Sequence, residues 1–488
     1  MIYQKRTIYA FEQDFFEQTE GLNLCMKEPL VDKDNPVVPI GNPGAPDDNK
    51  LCYPASVDRW KDGFGMWYFA EDSKLNHTRC FASSGDGFTW EKHGVIGEGI
   101  FNTMGLTFNV FNDGDRFLFP MTNRGTGSDP MANELYPPLR PEDVPDRRRQ
   151  EAVRKHMEQT GWPGVKTYVG TATSEDGVHW SLPKAVPRIP MMLESPRIYR
   201  FQGRYVMNAQ AHGFWFDPPV PGLRRTVFFT SGDLESWEQV PGYQKNTSHE
   251  SILGMAHVGI IPIKCIDDRL LIGIGGRFDE GGELPDTHFD ATLLYSNNGT
   301  DWAPVVPHHE RRSWIRRGRF GEWDFGGVVG MGMVENGDEA AVYYSGTENG
   351  NCTDGFPSYD PGHCQVGRVR LKRDRFAFLQ PAVGWSAIHE KAQAFDASGS
   401  VTTKPIDLEE NRTVTLNADI PENCGALITV EILTRDGVLY DSALVTRGGV
   451  AAPVDFAKRP PREPVRIRLK LTGGMAPDRV PRVYAIKY

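Results

Sequence analysis

Apolar residues along this chain come in short alternating or continuous runs, broken by Gly, Asp, Asn and Pro. That pattern predicts strands joined by tight turns. Four segments share one shape: FASSGDGFTW (81–90), TATSEDGVHW (171–180), FFTSGDLESW (228–237) and LLYSNNGTDW (293–302). In each, an apolar strand ends at Ser, a Ser-x-Asp/Asn-Gly-like turn follows, and a Trp opens the next strand. Asp and Asn close turns through their side chains, and Gly accepts positive φ at no steric cost. Upstream of each hairpin lies another recurring pair, an alternating strand, a Gly/Asp turn and an aromatic strand. The copies are 53–70, 106–122, 195–210 and 258–276. A fifth copy, VVGMGMVENGDEAAVYYSG (328–346), is followed by QVGRVRLKRDRFAFL (365–379). Five units of four antiparallel strands predict an all-β chain folded as a five-bladed β-propeller. Small residues in the first strands fit crowding around a central axis.

One insertion, about 124–166, interrupts the second unit. Within it VPDRRRQEAVRKHMEQTGW predicts a helix, with Pro145 in the first turn and Gly161 at the stop. A solvated surface helix is the simpler reading, a lid the alternative. After Leu379 the alternation changes to PIDLEENRTVTLNADI, LITVEILTRDGVLYDSALV and VRIRLKLTG, which predicts a small β-sandwich. The expected domains are therefore 1–380, a propeller, and 381–488, an accessory sandwich.

Composition narrows the function classes. The chain has 488 residues and a net charge of −10, which argues against nucleic acid as a partner. No apolar run reaches the roughly 20 residues of a membrane helix, so no membrane partner is expected. The first residues, MIYQKRTIYAFEQDFFEQ, lack the pattern of a signal peptide. The seven cysteines form no C-x2-C pair and read as mostly free thiols of a reducing compartment, so a cytoplasmic location is expected. Cys352, His363 and Cys364 have the spacing of no common zinc site, and no metal is assigned.

In a propeller, residues just ahead of each first strand converge at one end of the channel. Those positions hold Asp47 and Asp48, Thr103 and Met104, Glu194, His257 and Asp324. Three of the five carry carboxylates. Converging acids repel, so a gathering of them implies a task. Cleavage of a glycosidic bond needs such a pair, one carboxylate ionised and one held protonated.

Five stretches carry a family likeness. GAPDDNKLCYPASV resembles the opening blade of the five-bladed glycoside hydrolases, the group around families 32, 43, 68, 117 and 130. LESPRIYRFQGRYVM is similar to their third-blade motif, a Glu before a small residue and Pro. LLYSNNGTDW and GRFGEWDFGGVV resemble the late-blade pattern of uncharacterised family-32-like and family-43-like proteins. ASGSVTTKPIDL is similar to the link into their C-terminal sandwich. The resemblance implies Glu194 as general acid and Asp48, which keeps the spacing to Pro54 and Ser56, as base or nucleophile. The family's Arg-Asp-Pro in the second blade is replaced here by TMGLTF, so the third acid is missing there. Asp324 is the candidate to stand in for it, or to act as a second catalytic acid.

The remaining candidates bind substrate: Asp47, Arg124, Arg197, His212, Trp215, His257 and Trp323. The expected activity is exo-acting cleavage of a terminal furanoside or pyranoside from an oligosaccharide or small glycoside. No cofactor is required, though a structural cation in the channel is compatible with the layout. Two alternatives stand beside it. A glycoside phosphorylase would draw on Arg197, Arg124, Arg277 and His257 for phosphate. A non-catalytic carbohydrate-binding propeller would tolerate the missing acid. Oligomeric state is not encoded legibly.

Overall fold

The computed structural model describes residues 6–96, 109–122, 140–143, 147–160, 169–181, 193–212, 224–241, 255–279, 289–307, 313–348, 363–383, 396–408 and 413–488. These residues are nearly all in strands or turns. Arg147–Thr160 is the α-helix among them, and it lies in the expected insertion. No helix of the described residues is long and apolar enough to cross a membrane.

Successive antiparallel strands build the first part of the chain. The first sheet is Lys50–Trp60, Gly63–Glu71, His77–Ser84 and Glu91–Val95. The second is Phe111–Asn112, Phe117–Thr122 and Val169–Ser174. The third is Leu193–Phe201, Arg204–His212, Arg224–Ser231 and Glu238–Gln239. The fourth group is Met255–Ile266, Leu270–Asp279, Phe289–Ser296 and Ala303–Pro304. The fifth is Gly327–Asn336, Glu339–Thr347 and Cys364–Lys372, joined to the fourth by one parallel pair, Phe289 with Gly327. Its outer strand, Leu30–Val31, comes from the amino end of the chain.

The expected hairpins form, and they share one hydrogen-bond plan. The Ser Oγ accepts the N–H three residues on: Gly87 to Ser84 at 2.8 Å, Gly177 to Ser174 at 2.8 Å, Leu234 to Ser231 at 2.9 Å and Gly299 to Ser296 at 2.9 Å. The Asp or Asn Oδ1 then accepts the next two N–H groups, as Asp176 does from Val178 at 2.8 Å and His179 at 2.7 Å. The donor residue sits at positive φ each time, which Gly meets freely and Leu234 meets at a cost.

Aromatic side chains clasp these turns from a neighbouring sheet. Trp67 Nε1 donates to Gly177 O at 2.7 Å, Tyr199 OH to Gly299 O at 2.5 Å, and Tyr343 OH to Gly87 O. The inner strands touch in turn. Val110 N–H donates to Ser56 Oγ at 2.9 Å, Asn109 Nδ2 to Pro196 O at 3.0 Å, and Asn208 Nδ2 to Ile260 O at 2.9 Å. A Cβ on Gly330 would lie 2.9 Å from Ile274, and one on Gly332 would lie 2.6 Å from Val57 O. These contacts run from the first sheet through the fifth and back to the first. They require small residues where the inner strands approach.

The carboxyl-terminal strands form two further sheets with a shared apolar core that includes Val401, Leu416, Ile428, Val430, Leu469 and Ile486. Both sheets also take strands from the amino end. Thr7–Tyr9 pairs with Arg482–Lys487, Phe16–Glu20 with Asp396–Thr403, and Leu22–Met26 with Ala377–Pro381. The sequence reading places residues 7–26 within the propeller domain, 1–380. The pairing joins them to the last strands of the chain instead, and a boundary at 380 cuts through one of these sheets. Asp374 pins this junction. It accepts Tyr9 OH at 2.7 Å, Lys264 Nζ at 2.6 Å and Lys487 Nζ at 2.6 Å.

Candidate functional site

The inner strands enclose a cavity of about 270 Å³, to which Ser56, Asp58, Asn109, Arg197, Lys264 and Met331 contribute. Ser56, Arg197 and Met331 lie several residues past the starts of their strands, and Lys264 lies near the end of its own. The strand starts, where the candidate acids were expected, are outside the lining of this cavity.

Glu194 is at such a start. Its backbone pairs with Gln210, and the register then slips between Glu194 and Arg197. Such a bulge re-aims the side chains beside it. Arg197 follows, buried, and lines the cavity. His257 pairs with Arg277 in the fourth group, and His212 closes the second strand of the third sheet opposite Arg224. The side chains of Glu194, His212, His257 and Arg277 fall outside the described structure, as do Thr103, Met104, Arg124 and Trp215 altogether.

Asp47 and Asp324 occupy matching loops, which the sequence reading did not connect. Each loop reads Gly-x-x-Gly-x-x-Asp: Gly41, Gly44 and Asp47 ahead of the first sheet, Gly318, Gly321 and Asp324 ahead of the fifth. The middle glycines have φ of +90° and +87°. A Cβ on Gly41 would lie 2.2 Å from Asp47 Oδ1, and one on Gly318 would lie 2.1 Å from Asp324 Oδ1. Both aspartates are buried, and each accepts a tyrosine hydroxyl from the second strand of its own sheet. Tyr68 OH reaches Asp47 at 3.3 Å, and Tyr344 OH reaches Asp324 at 2.9 Å. Asp47 also binds Lys92 Nζ at 2.6 Å. Burial raises the Asp324 carboxyl above its ordinary range against the pull of Tyr344, and Glu322 adds to the rise. Neither aspartate lines the cavity.

Asp48 is held between its own loop and the turn after the second strand of its sheet. Gly44 N–H at 2.6 Å and Ser73 Oγ at 3.1 Å bind its Oδ2, and Ser73 N–H at 2.5 Å binds its Oδ1. These bonds, Gly44 first, hold its carboxyl below the usual range, so it is ionised at neutral pH. Adjacent in sequence, Asp47 and Asp48 thus serve separate contacts. Trp323 stacks on Tyr344, with ring centroids 5.8 Å apart at 19°, and its ring fills the space beside Gly346 and Gly367.

Sequence reasoning passed over two residues. Asp58 lines the cavity, accepting Arg59 N–H at 2.7 Å and Asn112 N–H at 3.2 Å. Burial pushes its carboxyl up to about 6, against the pull of those bonds and of Arg59. The alternation Ser56-Val57-Asp58 puts Ser56 and Asp58 on one strand face, which was the available signal. Phe320 stands 89% exposed in the loop of Asp324.

No family model matches the chain, and no curated protein matches it. Solved structures do. A glycosyl hydrolase from Bacteroides ovatus is 13% identical, with 72% of this chain and 95% of that one covered and a TM-score of 0.42. Sucrose-6-phosphate hydrolase from Lactobacillus gasseri is 10% identical, with 92% and 93% covered and a TM-score of 0.39. A structure described under the GH130 family of mannoside phosphorylases, which contains glycoside hydrolases that target beta-1,2 mannosidic linkages in Candida mannan, is 13% identical, with 72% and 94% covered and a TM-score of 0.41.

Proposed function

We propose that this chain is a five-bladed β-propeller with a C-terminal β-sandwich, and that it cleaves terminal glycosidic bonds at the end of the channel where the inner strands begin. Glu194 is the general acid in this reading, and Asp48 the ionised base or nucleophile. The observation that carries it is the bulge between Glu194 and Arg197. It lies between a strand-start position that carries an acid in the sequence and Arg197, a buried residue that lines the axial cavity. A guanidinium orients a hydroxyl or a phosphate, and the carboxyl protonates the leaving oxygen. Asp48 supports the reading by being ionised and reachable from solvent. Retaining enzymes of this kind hold their carboxyls about 5–5.5 Å apart, and inverting ones about 6.5–9.5 Å.

A panel of aryl furanosides and pyranosides, incubated with and without phosphate and followed by NMR of the first product, tests this. Release of free sugar supports hydrolysis, and release of a sugar phosphate supports phosphorolysis. No release from any member rejects the reading.

The engagement of both Asp48 oxygens, by Gly44 and Ser73, favours a second reading, a carbohydrate-binding propeller without turnover. Its mark is sugar binding by calorimetry that survives Asp48→Asn and yields no product.

A further inference from the structure

The two matched loops separate what the scaffold needs from what it does not. Both copies keep the glycines, the buried aspartate and its tyrosine. Residues that differ at matched positions are not demanded by the loop. Where the first copy has Pro43, the second has Phe320. Phe320 is almost fully exposed, with Phe325 at right angles to it, centroids 5.3 Å apart.

The backbone under Phe320 is fastened. Glu322 N–H donates to Arg319 O at 2.9 Å, Arg319 N–H to Glu322 Oε2 at 2.6 Å, and Phe325 N–H to Glu322 O at 3.2 Å. The ring is thus held out into water on a fixed turn. A polar residue there would avoid the cost of the exposed apolar surface. The loop leads into the inner strand of the fifth sheet, so it stands at the same end of the molecule as the start of the Glu194 strand.

We propose that Phe320, braced by Phe325, is a sugar-stacking subsite on the rim of the channel, a specificity element for an oligosaccharide; this rests on the glycoside reading above. One face of a furanose or pyranose presents C–H groups with partial positive charge, and an aromatic face carries negative charge density. Stacking therefore selects the ring by its apolar face, without a polar anchor. Trp323 differs from it, with its ring stacked on Tyr344 and packed beside Gly346 and Gly367.

The test uses the full chain and trisaccharides of glucose, mannose, galactose, xylose, arabinose and fructose. Saturation-transfer NMR maps the contact and calorimetry gives the affinity. At least one trisaccharide is expected to bind, with saturation strongest at the C–H protons of one ring face. Phe320→Ala should weaken that binding tenfold or more at an unchanged melting temperature, and Phe320→Trp should retain it. Wild-type affinity in Phe320→Ala overturns the subsite, as does failure of every trisaccharide to bind the wild type. Binding lost in Phe320→Ala, with no cleavage by the wild type, upholds the subsite and fells only the cleavage reading. Cleavage with unaltered affinity in Phe320→Ala does the reverse.

Discussion

Asp324 accepts the Tyr344 hydroxyl at 2.9 Å, inside a loop whose first glycine has no room for a side chain. The same arrangement of Asp47 with Tyr68 closes the matching loop of the first sheet. Two copies with the same bond make this a device of the scaffold, one that ties each inner strand to the second strand beside it. Tyr344→Phe should keep the stack with Trp323 and lose the bond, lowering stability by about 1–3 kcal/mol in urea unfolding. Gly318→Ala should cost more, because its Cβ would meet a buried carboxylate that is already held. Equal or greater stability in either variant would refute the role.

Two carboxyls, half-buried Asp58 and buried Asp324, should make stability fall as pH rises. Asp58 is pushed up to about 6 and Asp324 is raised, each from an ordinary value of 3.8 and each chiefly by burial. The native state therefore keeps protons that the unfolded chain has given up, and the stability this contributes is lost as pH climbs through the native pKa. Asp58→Asn removes the effect at one site. Its urea midpoint relative to wild type should rise between about pH 4 and 6 and level off above that. A difference that does not change with pH would show that Asp58 titrates normally.

Asp374 follows the opposite sign. Burial works to raise its pKa, but Lys264 and Lys487 overcome that and pull it down to about 2. The stability it contributes is present above 3.8 and lost as pH falls through about 2. It joins three stretches distant in sequence, through Tyr9, Lys264 and Lys487. Asp374→Ala takes the shared carboxylate from two half-buried lysines, although Lys264 keeps Glu335 at 2.5 Å. A loss of about 3–5 kcal/mol is expected in urea unfolding at pH 7. A loss below the range of a surface pair would remove Asp374 from this role.

What could be read in the sequence was what local chemistry determines. The Ser-x-Asp/Asn-Gly-like hairpins need no distant partner, because their turns are closed by their own side chains. The inner strands were legible through their small residues and alternation. Strand partners far apart in the chain were not. Phe16–Glu20 is polar outside its first residue, so nothing in it announces pairing with Asp396–Thr403. The separate partners of Asp47 and Asp48 also required the structure, because adjacent residues of a loop can turn to unrelated groups. The Gly-x-x-Gly-x-x-Asp pair was visible in the sequence and went unread, since its meaning lies in the tyrosine that each copy binds. Phe320 carries no local sign at all, because exposure is a property of the folded surface.

The catalytic reading turns on Glu194. A general acid must be protonated when substrate binds, and its contribution is greatest when the leaving group is a poor one. Glu194→Gln keeps the shape and loses the proton. With an alkyl glycoside kcat should fall by about 10²–10⁴-fold, the usual worth of acid catalysis. With a dinitrophenyl glycoside, whose leaving group needs no proton, the fall should be far smaller. A structural role predicts no such dependence, since a misfolded pocket would slow both substrates alike. The pH profile adds a second readout, because loss of the acid removes the fall in rate at high pH. Equal losses on both substrates with an unaltered pH profile would take Glu194 out of the chemistry.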